Sequence, residues 1–354
     1  MLIGLKNTMK FRKKLKFGIL GLGRVVESRV AKVFKNEIKN SKVVAVYDKD
    51  KKKNKKFAKF FNIKETNSLN SFLNNEMDFI YIATESGNHA KHIKKCFDAK
   101  KNVIVEKPPV LRVEQLINLN KNANKKKLLF YVIFQNRLNK SVEFVKKKLK
   151  KKLSKSIIFV NLKLLWSRQQ NYYNDWHGNW KHDGGVIAQQ GIHYIDLLCY
   201  FFGKPIKCIS HLENKSNKLQ AEDTNIGIIT FKNGINCQVS LTTALRPRDV
   251  ESSIEITMQR KIVKLHGLCC NMLSINNKNL KNFSEIVPTG YGLSHSKCLQ
   301  KIIDNKLKRK NNSKPLKAIE TLDTLKLLNM MYKSYEKKRW VYFNEKNLKS
   351  KLGY

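Results

Sequence analysis

The chain is poor in acidic residues, arginine and proline, and each shortage removes a class of explanation. Its 354 residues carry 27 Asp and Glu against 71 Lys and Arg, a formal net charge of +44, and only 11 of those 71 are arginine. Such an excess is the footprint expected of a nucleic-acid or membrane binder. Base and phosphate readout draws on the guanidinium fork, however, and here lysine is spread through every segment beside Asn and Ile. The excess therefore reads as a general composition bias with no specific nucleic-acid partner, although its field would favour an anionic small substrate. With 6 prolines and 16 glycines the chain is neither fibrous nor low in complexity. No stretch approaches ~20 uncharged apolar residues, so no membrane span is predicted. The apolar run within Met1 to Lys16 is too short for a secretory signal. Seven cysteines form no Cys-x-x-Cys pair and sit mostly in apolar runs, which reads as buried thiols in a reducing, cytoplasmic compartment. No His, Cys and carboxylate cluster has the spacing of a metal site.

What is present is alternation. Lys16 to Leu20 reads as a buried strand, followed at once by Gly21-Leu22-Gly23 and a helical run from Val25 to Phe34. In a strand, glycine turn and helix, a pyrophosphate sits against the helix N-terminal amides, which assigns Gly21, Gly23, Arg24 and Val25 to a dinucleotide. Val26 stands where the fingerprint has Gly or Ala. The next strand, Lys42 to Tyr47, ends in Asp48, at the ~20-residue distance of a carboxylate that binds the adenosine ribose and favours NAD over NADP. Its competing role is a turn residue at a strand end. The lysines of 51–56 read as a solvated loop face that softens the preference and leaves NADP possible. A helix at Asn67 to Asn75, a strand at Asp78 to Thr84, a helix over 89–99 and strands at Asn102 to Val105 and Leu128 to Ile133 continue the pattern. Alternation of this kind indicates a doubly wound parallel sheet that binds ligands at its strands' carboxyl ends. Thr84, His89, Glu106 and Lys107 fall at those ends, the first three as cofactor-binding residues, and Pro108-Pro109 stops the fourth strand and suits a cis bond.

In the second half, Gly184-Gly185 opens a helical stretch in which Gln189, His193 and Asp196, four and three residues apart, share a face otherwise bordered by isoleucines. The bland alternative is a helix whose His and Asp satisfy core hydrogen bonds. Strand Ile157 to Trp166 leads into Ser167 to Trp180, too long and aromatic for a plain connector, with Arg168 placed to meet a phosphate. A basic surface helix is read at Ser141 to Leu153. Alternating runs at Cys208 to Leu212, Thr224 to Phe231, Asn236 to Thr243, Ser253 to Met258 and Lys261 to Leu265, with the Asn233-Gly234 hairpin signal, predict antiparallel strands. A helix with a Leu299, Ile302 and Ile303 stripe follows Ser294, which is placed to cap it.

Gly-Leu-Gly at 21–23, Ala83-Thr84 through His89, Glu106-Lys107-Pro108, and Gly184-Gly185 through Gly191-x-His193-x-x-Asp196 occur in one order and spacing that resembles the Gfo/Idh/MocA oxidoreductases. The likeness covers nearly the whole chain. It implies an α/β Rossmann domain at 1–133 and an α+β domain at 134–354 with an open, mostly antiparallel sheet. A C-terminal helix around Leu316 to Lys338 would return to the first domain, and a homo-oligomer would form through the outer sheet face. By resemblance Lys107 and His193 flank the substrate carbon and the nicotinamide: His193 takes the hydroxyl proton and Lys107 stabilises the alkoxide. Asn136, Arg137, Arg168, Gln189 and His295 are then substrate contacts, with a structural ion pair as the competing reading of Arg137. Gln189 stands where many relatives have Asp; an amide cannot take a proton, so it orients. The 167–185 segment resembles the branch that oxidises nucleotide-activated N-acetyl amino sugars at C3. The expectation is an NAD-dependent dehydrogenase of a sugar or nucleotide sugar. The alternatives are an inositol or free-sugar dehydrogenase, a non-catalytic sugar sensor of the same fold, and a nucleic-acid binder recognised by steep salt dependence.

Overall fold

The computed structural model describes residues 14–149, 156–287, 290–309 and 314–354. Five strands, β1 (Leu15–Leu20), β2 (Ser41–Tyr47), β3 (Phe79–Ile82), β4 (Asn102–Val105) and β5 (Phe130–Val132), form a parallel sheet in the order β2-β1-β3-β4-β5. β3 is buried throughout and β1 and β4 nearly so, because helices cover both faces, and their almost unbroken apolar sequences follow from that. After the glycine turn the chain is helical to Glu37, with two stretches of wide, five-residue turns at Val26–Val30 and Val33–Glu37.

Lysines 51–56 are not a loop face. They open the helix Lys51–Phe61, whose first turn is held by Asp50, its carboxylate accepting from the Lys52 and Lys53 amides. Phe57 and Ala58 bury the opposite side, so the lysines cover the solvent face of an amphipathic helix. The helix Val113–Lys125 is an addition to the elements expected from the sequence.

The second half builds a nine-stranded sheet from β6 (Ile157–Leu165), β7 (Pro205–Glu213), β8 (Thr224–Phe231), β9 (Asn236–Thr242), β10 (Glu251–Met258), β11 (Lys261–His266), β12 (Met272–Ile275), β13 (Lys278–Asn279) and β14 (Val341–Tyr342). Their order is β13-β12-β11-β10-β6-β9-β8-β7-β14, antiparallel except where β6 runs parallel to β9. The expected strands are all here; β12, β13 and β14 are additional. Gly234, at φ +83°, turns β8 into β9. Alternate residues such as Leu162, Leu164, Val239 and Leu241 are buried against the helix Ile192–Phe202, while Ile158, Ile226, Ile228 and Ile262 face outward.

Two segments tie the sheets together. Leu299, Ile302 and Ile303 of the helix His295–Lys306 join the core cluster of Phe17, Ile19, Val30 and Tyr81, so this late helix covers one face of the first sheet. Ser294 does not cap it; its hydroxyl donates to Asn139 Oδ1 at 2.9 Å. The helix Leu322–Lys337 packs on β7 and on Val113–Lys125, and Asn329 Nδ2 donates to the Leu111 carbonyl at 3.1 Å. The helix expected at Ser141 to Leu153 runs from Lys140 to Leu149; its last expected residues lie outside the described ones. No helix among the described residues is long and apolar enough to cross a membrane.

Candidate active site

The carboxyl ends of the first sheet and the start of the helical run at Ile187 enclose a cavity of about 850 Å³. The glycine turn forms one end of it. Gly21 has φ +89°, and a Cβ there would come within 2.6 Å of the Ala83 and Thr84 backbone, so only glycine lets β1 and β3 end this close together. A Cβ on Gly23 would meet nothing within 4 Å; that residue faces the cavity, which Arg24 and Val25 also line. Asp48 takes the turn role weighed for it and also lines the cavity. Its Oδ2 accepts from the Leu22 amide at 2.7 Å and its Oδ1 from the Asp50 amide at 2.9 Å, and the same carboxylate borders the cavity. Lys49 reaches across the rim to Glu85 at 2.6 Å.

Thr84 and His89 hold adjacent strand ends. Thr84 Oγ1 lies 2.9 Å from His92 Nδ1, and the His89 ring spans from the Pro108 carbonyl at 2.8 Å to the Thr84 carbonyl at 3.0 Å. Two carbonyl acceptors favour a doubly protonated ring, but burial outweighs them and lowers the His89 pKa.

At the other end, Lys107 precedes a cis proline bond and donates from Nζ to the Gln189 carbonyl at 2.6 Å and to Gln189 Oε1 at 2.8 Å. An ammonium has three N–H bonds, and two of those of Lys107 go to Gln189. Gln189 Nε2 donates at 2.8 Å to Asp183, whose other oxygen accepts from the Gly178 amide at 3.0 Å. Burial lowers the pKa of Lys107 against the pull of Glu106 and Asp183, and burial pushes Asp183 up to about 8. His193 lines the same cavity one turn beyond Gln189. Burial, then the charges of Lys107 and His295, hold its pKa well below the usual value, so the ring is neutral near pH 7. Glu106 is buried, accepts from the Tyr81 hydroxyl, and lies 3.4 Å from His295 Nε2. His295 also faces the cavity.

Gln189 and His193 share a face as the spacing predicts, but Asp196 does not join them. The helix runs through wide turns at Ile187–Gly191 and then tightens. Asp196, fully buried, accepts two bonds from Arg137 at 2.7 Å and one from Thr324 at 2.9 Å. Arg137 is thereby committed to an internal ion pair and stacks against Tyr200, and neither it nor Asn136 lines the cavity. Their neighbour Gln135 does. Arg168 lines the cavity, held to Asp249 at 2.8 Å over the Trp166 ring. The aromatic 167–180 stretch closes on the glycine turn: Arg24 lies over the Tyr172 ring and pairs with Asp175 at 3.4 Å, and Trp176 stacks on His177.

Several wall residues lie outside those the sequence points to. Gln190 is 6% exposed and, among the described residues, neither of its amide atoms has a partner; Gln135 Oε1 and Trp166 Nε1 are likewise buried without a hydrogen bond there. Buried polar atoms are nearly always paired, so atoms of this kind in a cavity wall are open to a ligand or to ordered water. Apart from Gln190's adjacency to Gln189, the sequence carries no signal for them. An open glycine turn, an acid at the second strand end and these orphaned atoms fit a dinucleotide with a polar substrate beside it.

Residues 15–134 match the Gfo/Idh/MocA family, described as an oxidoreductase family with an NAD-binding Rossmann fold, and residues 155–343 match its C-terminal alpha/beta domain. Oxidoreductase P35 of Formosa agariphila is 26% identical over 232 residues, 63% of this chain and 70% of that protein. Glucose-6-phosphate 3-dehydrogenase of Bacillus subtilis is 24% identical over 264 residues, covering 71% and 74%. Among solved structures, the WlbA dehydrogenase of Chromobacterium violaceum in complex with NADH and UDP-GlcNAcA superposes with a TM-score of 0.83 at 26% identity, covering 93% of this chain and 96% of that one. The chain belongs to the Gfo/Idh/MocA oxidoreductases and carries their NAD-binding Rossmann domain and C-terminal alpha/beta domain.

Proposed function

We propose that the chain oxidises a secondary alcohol of a sugar or nucleotide sugar, C3 of a UDP-N-acetyl amino sugar being the favoured case. The observation that carries this reading is the convergence of Lys107 and His193 on one cavity at the carboxyl ends of the NAD-binding sheet. NAD, when bound, supplies the acceptor for the hydride. Gly21, Gly23, Arg24, Val25 and Asp48 would hold it, with Thr84, His89 and Glu106 shaping the adjoining strand ends. His193, neutral near pH 7, takes the hydroxyl proton. The third Lys107 N–H donates to the oxygen as charge develops on it. Gln189 orients, having no proton to exchange. Arg168 and His295 contact the substrate, and the orphaned amide of Gln190 adds a donor and an acceptor.

Three features support the nucleotide-sugar substrate: the UDP-GlcNAcA held by the WlbA relative, the aromatic 167–180 wall, and a net charge of +44 that favours an anionic diphosphate. The test is reduced-cofactor absorbance with UDP-N-acetylglucosamine, its uronate, glucose-6-phosphate and free polyols, on the native chain and on Lys107→Ala and His193→Ala. Turnover confined to a UDP-sugar and lost in both variants supports the proposal. Unchanged rates in both variants would refute it. The outward-facing Ile158, Ile226, Ile228 and Ile262 support assembly into a homo-oligomer through the second sheet. Light scattering that finds a monomer would remove that part.

A further inference from the structure

Asp183 is 1% exposed, carries no ligand-facing role in the mechanism above, and sits one residue before the Gly184-Gly185 turn. A buried carboxylate is costly unless something uses it. Its two oxygens serve different masters. Oδ2 accepts from the Gly178 amide at 3.0 Å, in the aromatic loop, and Oδ1 accepts from Gln189 Nε2 at 2.8 Å, on the helix that carries His193. The second bond decides which way the Gln189 amide points. With Nε2 committed to Asp183, Oε1 must face Lys107, and Nζ donates to it at 2.8 Å. Reversed, the amide would turn its NH2 group on an ammonium.

We propose that Asp183 is a positioning residue of the dehydrogenase site: by accepting from Gln189 Nε2 it fixes the polarity of the Asp183–Gln189–Lys107 chain and so aims the Lys107 ammonium at the substrate oxygen. The proposal rests on Lys107 acting at the reacting carbon, as argued above. Asp183 and Lys107 face each other across one amide, where burial works against the charge on each and their mutual attraction works for it. Around Lys107 stand Glu106, His89, Asp183, His193 and His177. Around Asp183 stand Lys107, Asp175, Glu222 and the phenols of Tyr172, Tyr173 and Tyr332. Of these, Lys107 is the cation whose attraction opposes the burial of Asp183.

Asp183→Asn is the informative variant, because an amide has one acceptor where two are needed. If its oxygen stays on the Gly178 N–H, its NH2 faces Gln189 and drives that amide to reverse. The expected result is a fall in kcat of roughly tenfold to a hundredfold with KM changed little, the scale of a misaligned reacting group. The basic limb of the kcat profile should move down by about one pH unit, since above about pH 8 the native Asp183 is a carboxylate that attracts the ammonium and the amide is not. The second variant, Asp183→Asn with Gln189→Glu, rebuilds the chain with opposite polarity. The introduced amide accepts from the Gly178 N–H and donates to the introduced carboxylate, whose other oxygen accepts from Lys107. This double variant should recover kcat to within severalfold of the native chain. A readout that needs no substrate is competitive acetic-anhydride labelling of the NADH-bound protein, following the Lys107 peptide by mass spectrometry against pH. Its midpoint should drop in Asp183→Asn and return in the double variant. An unchanged Lys107 midpoint and kcat in Asp183→Asn, or losses the double variant does not recover, would overturn the proposal. Turnover that survives Lys107→Ala overturns the mechanism instead, while the labelling result still reports on the chain.

Discussion

The two ends of the cavity are built differently. At the cofactor end the polar groups are largely satisfied within the protein: Asp48 holds the Leu22 and Asp50 amides, His89 spans two carbonyls, and Thr84 meets His92. At the substrate end the amide of Gln190, Gln135 Oε1, Trp166 Nε1 and His193 Nδ1 are buried without partners among the described residues. Strand ends and backbone amides make the first a rigid cradle for an invariant ligand. The second is assembled from side chains of several elements and is completed by what it binds. Damage to the first should appear in cofactor affinity and stability, and damage to the second in rate and substrate choice.

Lys107→Ala breaks the comparison hardest. It should lower kcat by ~10³-fold or more while the NADH dissociation constant, read by fluorescence, stays within about twofold. His193→Asn removes the proton acceptor and keeps a polar ring-sized group; a loss of ~10²–10⁴ in kcat is expected in the same assay. Gly23→Val tests the cradle. The added side chain points into open cavity rather than protein, so the melting temperature should hold while NADH binding weakens by at least ~10-fold, read by titration calorimetry. An unaltered dissociation constant would place the cofactor elsewhere. Gln190→Leu should raise KM by about tenfold with little change in kcat, the cost of one hydrogen-bonding partner lost to the ligand.

The smallest effect concerns pH and stability. Burial pushes Glu222 up to about 8, against bonds from the Ile187 amide and the Tyr332 hydroxyl. A carboxyl whose folded pKa is raised binds a proton more tightly when folded, so its stabilisation is complete below the unfolded value of 4.5 and is lost as pH rises through about 8. Melting temperatures followed from pH 6.5 to 8 should therefore decline in the native chain and decline less in Glu222→Gln. A parallel decline in both would assign the slope to other groups.

The first sheet was legible because its strands read as short apolar runs that end in glycine, acid or proline, and each signal lies within a few residues of what it predicts. The lysines at 51–56 misled because charge density was read without the following Phe57 and Ala58, which give the segment its buried side. Strands β13 and β14, two residues each, and the four-residue β12 exist only through pairing, and no period can announce them. In the site, the positions of Gly21, Gly23, Asp48, Thr84 and Lys107 follow from motif order and strand ends, and those of Gln189 and His193 on the same cavity from the family resemblance. For Arg137 the sequence left two readings, a substrate contact and a structural ion pair, and the structure takes the second: an arginine after the last strand has two possible anions, a ligand and Asp196, and only packing shows that Asp196 faces inward.

Order and period alone therefore determined a doubly wound domain, a following antiparallel sheet and a glycine turn with its acid, while the meeting of Lys107 and His193 followed only from the resemblance to the Gfo/Idh/MocA oxidoreductases. Tertiary structure decided which polar partner each of them takes. It turned Asp196 away from the cavity, buried Asp183 behind Gln189 and left Gln190 unpaired, because hydrogen bonds between residues 82 positions apart, such as Lys107 to Gln189, have no trace in local spacing.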